Sequence, residues 1–407
     1  MGPIEPDGPL LVETTRAETG GGAVGHLADG RVVFVEGALP GERVAVELTE
    51  ERDRFARGRV VEVVAANPDR VVPPCVALAH GCGGCDLQHA TPDLQRSMKE
   101  QVVADALGRI GRLTSFPTIE HHPLASSGFR TTVRAAVTED GRAAFRHHRS
   151  HDLVVPDDCL ITHPAAEALL VHGRFDGCEE VMVRVGAATG ERMVVGSPDV
   201  DGVRLPDGSG EVVVVGRGEA AEAYLHEVVG GRTWRISGKS FFQTRPDGAE
   251  ALVSLVQRDV EESAGRPGRL IDLCAGVGLF AGTVAADEVE AVESSHASVA
   301  DARHNLADLG DAATVVRSAI ERWRPSPADV VVADPPRTGL RRDGVKRVAA
   351  TGAEVVVLVS CDAGSLGRDA GLLAEAGYRL DRVTLVDLFP HSHHVEVVSR
   401  FRRTVGA

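Results

Sequence analysis

The chain has 407 residues, enough for two or three domains with substantial cores, and its 43% hydrophobic and 25% charged residues describe an ordinary globular protein. A formal net charge of −15 excludes a protein that coats nucleic acid unselectively, while leaving room for a local basic groove. No apolar run approaches the roughly 18 residues a bilayer crossing needs, and Met1–Leu11 carries proline and acid in place of a basic segment and apolar core, so a cytoplasmic chain without membrane attachment is expected.

Residues 9–66 read as short alternating strands separated by glycines, among them Arg31 to Glu36, Arg43 to Leu48 and Arg59 to Val64, with Ala38-Leu39-Pro40-Gly41 as a turn. Such strands predict a small barrel of the oligonucleotide-binding type over residues 1–66. Asn67-Pro68 and Val72-Pro73-Pro74 break the pattern and open a central domain, 67–236. Thr91-Pro92 starts a helix with Leu94, Met98, Val102, Ala106 and Ile110 at helical spacing. Arg130 to Val137, Ala143 to Arg146, Glu180 to Val185 and Met193 to Val195 read as an antiparallel sheet, with Glu211 to Gly216 and Arg232 to Ile236 as candidate additions. From 237 to 407 near-continuous apolar strands alternate with helices, the pattern of a doubly covered parallel sheet, so an α/β fold with a Rossmann-like C-terminal domain is expected.

Leu270 to Phe280 is a strand, a tight turn through Gly276 and Gly278, and a helix start; Glu293 ends the next strand about 20 residues after Asp272, where such folds hold ribose hydroxyls. The third glycine of a dinucleotide fingerprint is absent, so S-adenosylmethionine fits better than NAD. Cys361 closes the apolar strand AEVVVLVSC downstream of that loop, the place for a nucleophile beside a bound cofactor; thiols attack electron-poor carbon well, while a buried lone cysteine otherwise behaves as a small hydrophobe.

Seven cysteines, an odd number, favour free thiols or metal ligation over a disulfide framework. Cys75, Cys82, Cys85 and the distant Cys159 suit either an iron–sulfur cluster or a structural zinc, and spacing leaves both open, with coincidence a third reading. His391, His393 and His394 resemble a metal cluster but lack further ligands, which favours structural or RNA-contact roles. Arg130 and Arg134 fall on alternate positions of one strand face, suited to phosphate or to plain surface charge.

Asp272-Leu273-Cys274-Ala275-Gly276-Val277-Gly278-Leu279-Phe280, Asp334-Pro335-Pro336-Arg337-Thr338-Gly339-Leu340, Val359-Ser360-Cys361 and Phe389 to Glu396, in that order and preceded by Ser240-Phe241-Phe242-Gln243, resemble the RNA 5-methyluridine methyltransferase family. Val32 to Glu42 resembles its RNA-binding TRAM domain. The resemblance implies methyl transfer from S-adenosylmethionine to carbon 5 of an RNA uridine, with Cys361 as nucleophile, Glu396 as the base that removes the carbon 5 proton, and Asp334 at the uracil edge. Gln243, Asp272, Gly276, Gly278, Glu293 and Asp334 are the expected cofactor contacts. The Gly81-Cys82-Gly83-Gly84-Cys85 loop is similar to the ribosomal-RNA branch, which implies a 4Fe–4S cluster at the four cysteines, zinc being the alternative, and 23S rRNA as substrate; tRNA, or a catalytically weak RNA-binding protein, are the other readings. A monomer is expected. The chain departs from the family pattern at Asp362-Ala363, where Asn-Pro is usual, and at Cys274, where an aromatic is common and which reads as pocket packing.

Overall fold

The computed structural model describes residues 8–404; Met1–Asp7, part of the segment read above for an export signal, lie outside them. Strands β1 (Leu10–Ala17), β2 (Ala23–His26), β3 (Val32–Glu36), β4 (Arg43–Glu51) and β5 (Phe55–Ala65) close into a barrel of order β1-β2-β3-β5-β4. Alternation fills it: Val33 and Val35 of β3 and Val44 and Val46 of β4 turn inward onto Val12 and Ala56.

After the short helix α1 (Val76–Ala79), the Thr91 hydroxyl accepts the Leu94 N–H (3.4 Å) and caps α2 (Pro92–Asp105), whose first residue is proline. The helix ends in a wider π turn, Ala106–Ile110. That turn rotates the last residue off the apolar face, so Ile110, expected inside, is 53% exposed. Strand β6 (Ile119–His122) follows.

The central sheet contains β7 (Thr132–Val137), β8 (Ala143–Arg146), β9 (Leu153–Val154), β10 (Arg174–Val185), β11 (Arg192–Arg204) and β12 (Val213–Gly216) in the order β12-β11-β10-β7-β8-β9, with α3 (Pro164–His172) packed on β10. Two expectations are corrected here. The strand expected at Glu211 to Gly216 joins the sheet as β12 but pairs parallel to β11, because residues 205–212 run back to the level of Met193 before the strand starts. The strand expected at Arg232 to Ile236 does not join at all. It forms a separate hairpin, β13 (Tyr224–Val229) with β14 (Arg232–Ser237), around the buried Trp234, whose Nε1 donates to Val229 O (2.9 Å).

Helix α4 (Pro246–Ala264) leads into the large sheet: β15 (Arg269–Leu273), α5 (Leu279–Thr283), β16 (Glu288–Glu293), α6 (His296–Asn305), β17 (Ala313–Arg317), β18 (Val330–Ala333), α7 (Arg341–Ala350), β19 (Val355–Ser360), α8 (Ala363–Glu375), β20 (Tyr378–Val386) and β21 (Glu396–Arg403). Its order is β17-β16-β15-β18-β19-β21-β20-β6. Both faces are buried. Val330, Val332, Val355 and Val357 meet Leu252 and Val256 of α4, whereas Val331, Ala333, Val356 and Leu358 meet Val345 of α7 and Leu366 and Ala370 of α8. Burial on both faces is why these strands are apolar without alternation. The sheet is mixed rather than parallel throughout, since β21 runs antiparallel to both neighbours, and β6 adds an edge strand from upstream of the central sheet. Ala17 and Leu39 of the barrel belong to the same apolar cluster as α2 and this sheet, so the barrel shares the larger core. Among the described residues, no helix is long and apolar enough to cross a membrane.

Candidate active site

Chain order reverses between β15 and β18, and the crevice outside the strand ends at such a point is where open α/β sheets bind ligands. Asp272, Glu293, Asp334 and Cys361 stand at or just past the C-terminal ends of β15, β16, β18 and β19. Glu396 begins β21, and because that strand is antiparallel its first residue lies on the same edge. Topology therefore gathers residues spread over more than a hundred positions onto one rim.

Around the glycine loop the backbone is left-handed at Cys274 (φ 61°), Gly276 (φ 57°) and Gly278 (φ 95°), which turns β15 sharply into α5. One oxygen of Asp272 accepts the Ala281 N–H (2.8 Å); the other, Oδ1, is buried without a partner among the described residues, an acceptor left for a ligand. Burial, reinforced by the Asp334 and Glu293 charges, pushes Asp272 up to about 7. Glu293 accepts the N–H of Gly276 (3.0 Å) with one oxygen and those of Ser294 (2.6 Å) and Ser295 (2.7 Å) with the other, and a carboxylate so engaged retains lone pairs for hydroxyl donors. Gln243 Nε2 donates to Asp334 Oδ2 (3.4 Å), so the segment from β14 to α4 reaches across to the rim. Cys274 is pushed upward by burial and the surrounding carboxylates and stays a neutral thiol.

Asp334 and Glu396 are a carboxylate pair, Glu396 buried and Asp334 half-buried. Burial raises Asp334 to about 7, and burial together with the Asp334 charge raises Glu396 well above its ordinary value. Cys361 is half-buried, and its thiol is pushed up to about 12 by burial first, then by Glu396 and Asp334, with the Arg337 guanidinium acting the other way. It opens onto a pocket of about 100 Å³ bordered also by Arg337, Asp362, His393, His394 and, from the barrel, Thr19. Asp362 caps α8, its Oδ1 accepting the Ser365 N–H (2.7 Å), a task Asp and Asn perform equally well. The departure from Asn at this position is thus accommodated by the fold.

Cys75, Cys82, Cys85 and Cys159 border a single cavity of about 450 Å³ together with Arg130 and Arg134. Burial pushes Cys85 up to about 12 and raises Cys82 and Cys159, and the neighbouring thiols add to each shift. Among the described residues, no three His, Cys, Asp or Glu side chains converge tightly enough to hold a single metal ion. Arg130 precedes β7, lies against this cavity, and has its charge disfavoured by burial and favoured by Cys159 and Cys85; Arg134 is exposed and borders a second, basic groove shared with Arg146, Arg217 and Lys239. Sequence reasoning missed Thr19 and Asp86, whose carboxylate holds His393. Local pattern carries no signal for either, since both act across the fold.

A TRAM domain model matches residues 9–61 and a methyltransferase small domain model matches residues 240–353. The chain is 35% identical over 422 residues to an uncharacterized RNA methyltransferase of Streptomyces avermitilis, covering 95% of this chain and 96% of the relative. It is 33% identical over 427 residues to the 23S rRNA (uracil(1939)-C(5))-methyltransferase RlmD of Methylococcus capsulatus, covering 94% of each. Its fold matches the crystal structure of the Pyrococcus abyssi tRNA (uracil-54, C5)-methyltransferase in complex with S-adenosyl-L-homocysteine, with a TM-score of 0.72 at 24% identity, over 96% of this chain and 100% of that one.

Proposed function

The chain belongs to the TRAM-domain RNA (uracil-C5) methyltransferase family, and within it we propose that this protein methylates carbon 5 of a uridine in 23S rRNA through a covalent adduct to Cys361. What carries the reading is the placement of Cys361 beside the Asp334–Glu396 carboxylate pair, on the rim that holds the Asp272–Gly278 loop. When bound, S-adenosylmethionine supplies an electrophilic sulfonium methyl. Gln243, Asp272, Gly276, Gly278, Glu293 and Asp334 would hold it, the unpartnered Asp272 oxygen and the free lone pairs of Glu293 accepting its donors.

Carbon 5 of uracil is too weak a nucleophile to take the methyl directly. Cys361 Sγ bonds to carbon 6 as the ring's carbon 5–carbon 6 π bond opens toward O4, and the thiol proton passes to the carboxylate pair. Carbon 5 then carries the electron density that takes the methyl. Glu396 in its ionised form removes the remaining carbon 5 proton, the double bond reforms and Sγ leaves. Burial raises both carboxylates, and the Asp334 charge raises Glu396 further, which suits a site that must accept protons in turn. Because carbons 5 and 6 must be reached from the ring faces, the target base is unstacked, and a single-stranded loop makes that cheaper.

Cys75, Cys82, Cys85 and Cys159 would hold a structural 4Fe–4S cluster rather than the single zinc ion that is the other expectation: four thiols surround one cavity too widely for one ion, and thiols this resistant to ionisation become thiolates when a cationic group compensates them. Absorbance and metal content of anaerobically purified protein separate the two. The function itself is tested by labelled methyl transfer to unmodified rRNA and tRNA supplied separately. Label recovered as 5-methyluridine in 23S rRNA and lost in Cys361→Ala is expected; label in tRNA alone would move the substrate, and label in neither would overturn the reading.

A further inference from the structure

Asp86, next to Cys85, has no part in the chemistry above, yet it meets the loop that leads into Glu396. Its Oδ1 accepts the His393 N–H (2.8 Å) and its Oδ2 pairs with His393 Nδ1. The rings of His393 and His394 lie 4.2 Å apart, and His394 Nε2 meets Arg337 Nη2 at 3.2 Å. Arg337, His393 and His394 all border the small pocket of Cys361. A continuous row thus runs from the cysteine loop through Asp86, His393 and His394 to the guanidinium beside the nucleophile.

The same loop is gripped twice more. The N–H groups of Asp86 and Leu87 donate to His391 O (3.0 and 2.9 Å), while from α2 Gln95 Oε1 accepts the His391 N–H (2.8 Å) and Lys99 Nζ donates to Phe389 O (2.8 Å). His391 is held at a φ of 65°, a conformation a non-glycine residue keeps only when its surroundings impose it. Grip from α2 is independent of the cysteines; grip from Asp86 and Leu87 is not, because the peptide after Cys85 carries both. The barrel closes over the junction: Gly21 (φ 89°) lies so near that a Cβ there would stand 2.9 Å from Asp86 Cγ.

We propose that Asp86 is a positioning residue that anchors the His393–His394–Arg337 row against the Cys361 thiol, and so couples occupancy of the four-cysteine site to the readiness of the nucleophile. The proposal rests on the reading of Cys361 as nucleophile and of the four cysteines as a metal or cluster site.

The test uses the full chain, with Asp86→Ala and the conservative Asp86→Asn, which keeps one acceptor for the His393 N–H. Metal content is measured on each. In Asp86→Ala, kcat on RNA is expected to fall about tenfold with KM changed less than about twofold, and peptide-resolved alkylation of Cys361 in RNA-free protein to slow by a similar factor, Asp86→Asn recovering part of both. Removing the metal from wild type by chelation is expected to speed amide exchange over residues 387–395 and to slow Cys361 alkylation, and to add nothing further to alkylation in Asp86→Ala. A raised KM with unchanged kcat and alkylation, loss of metal from Asp86→Asn, or additive effects of chelation and substitution would each overturn the proposal. The alkylation and exchange arms need no substrate, so a wild-type protein that methylates no RNA would sink the proposed function without deciding this coupling.

Discussion

At the scale of single residues, the site is governed by what burial does to ionisable groups. Three carboxylates on one rim cannot all carry charge cheaply, so Asp272, Asp334 and Glu396 are all displaced upward, and Cys361 with them. Glu396→Gln is expected to lower turnover by about 100-fold or more while letting a methylated protein–RNA adduct accumulate, visible as a shifted band on a denaturing gel; turnover without an adduct would reassign the base. Asp272 gives a stability test. Its folded value of about 7 exceeds the ordinary 3.8, so the native state binds the extra proton; the stabilising contribution is complete below about pH 4 and is lost as pH rises through about 7. Asp272→Asn, neutral at every pH and still able to accept the Ala281 N–H, is expected to melt about 5 °C or more above wild type at pH 8 and to converge with it at pH 4. Equal melting at both pH values would mean Asp272 is ionised in the fold.

At the scale of elements, two devices place the nucleophile. Asp362 caps α8 directly behind Cys361, so Asp362→Ala is expected to cost about 1 kcal/mol in denaturant unfolding and Asp362→Asn only a few tenths. A full loss in the Asn variant would show that the carboxylate charge does more than cap. Helix α2 holds the loop before β21 through the buried pair of Lys99 and Asp387 (3.1 Å). Lys99→Met leaves the buried Asp387 with only the longer Arg96 contact (3.9 Å) and is expected to cost about 3 kcal/mol, read as a lower urea midpoint at unchanged slope. Helix α2 was legible before the structure, from Thr91-Pro92 and its apolar spacing, and α8 only as one of the unplaced helices expected between the apolar strands. Their tasks were not. A helix period reveals which face is buried, and leaves open what it is buried against.

For the whole molecule, the charge of −15 sets how RNA is held. The basic groove bordered by Arg134, Arg146, Arg217 and Lys239 is local, and a single strand engaging about four phosphates there gives a slope of log affinity against log salt near −3. A slope near −10 would require a broadly basic surface and contradict the reading. Barrel, cysteine loop and large sheet meet at one place, since Thr19 borders the Cys361 pocket and Ala17 and Leu39 belong to the core that α2 and the sheet share. The barrel is accordingly part of the site's wall rather than a separate appendage.

Local order in the chain determined the pieces: alternating strands for the barrel, apolar strands for a sheet covered on both faces, glycines where β15 turns, and a cysteine at a strand end. Each of these is enforced within a few residues, by side-chain period or by a backbone angle, and needs no partner to be read. What tertiary structure alone decided was pairing across distance. An antiparallel β21 brought Glu396 to the rim of Cys361, β12 paired parallel, Arg232 to Ser237 left the sheet for a hairpin, β6 joined a sheet from upstream of it, and Asp86 came to lie on His393. Those choices depend on which surfaces bury one another, a property that residues hundreds of positions apart acquire only when the chain has folded.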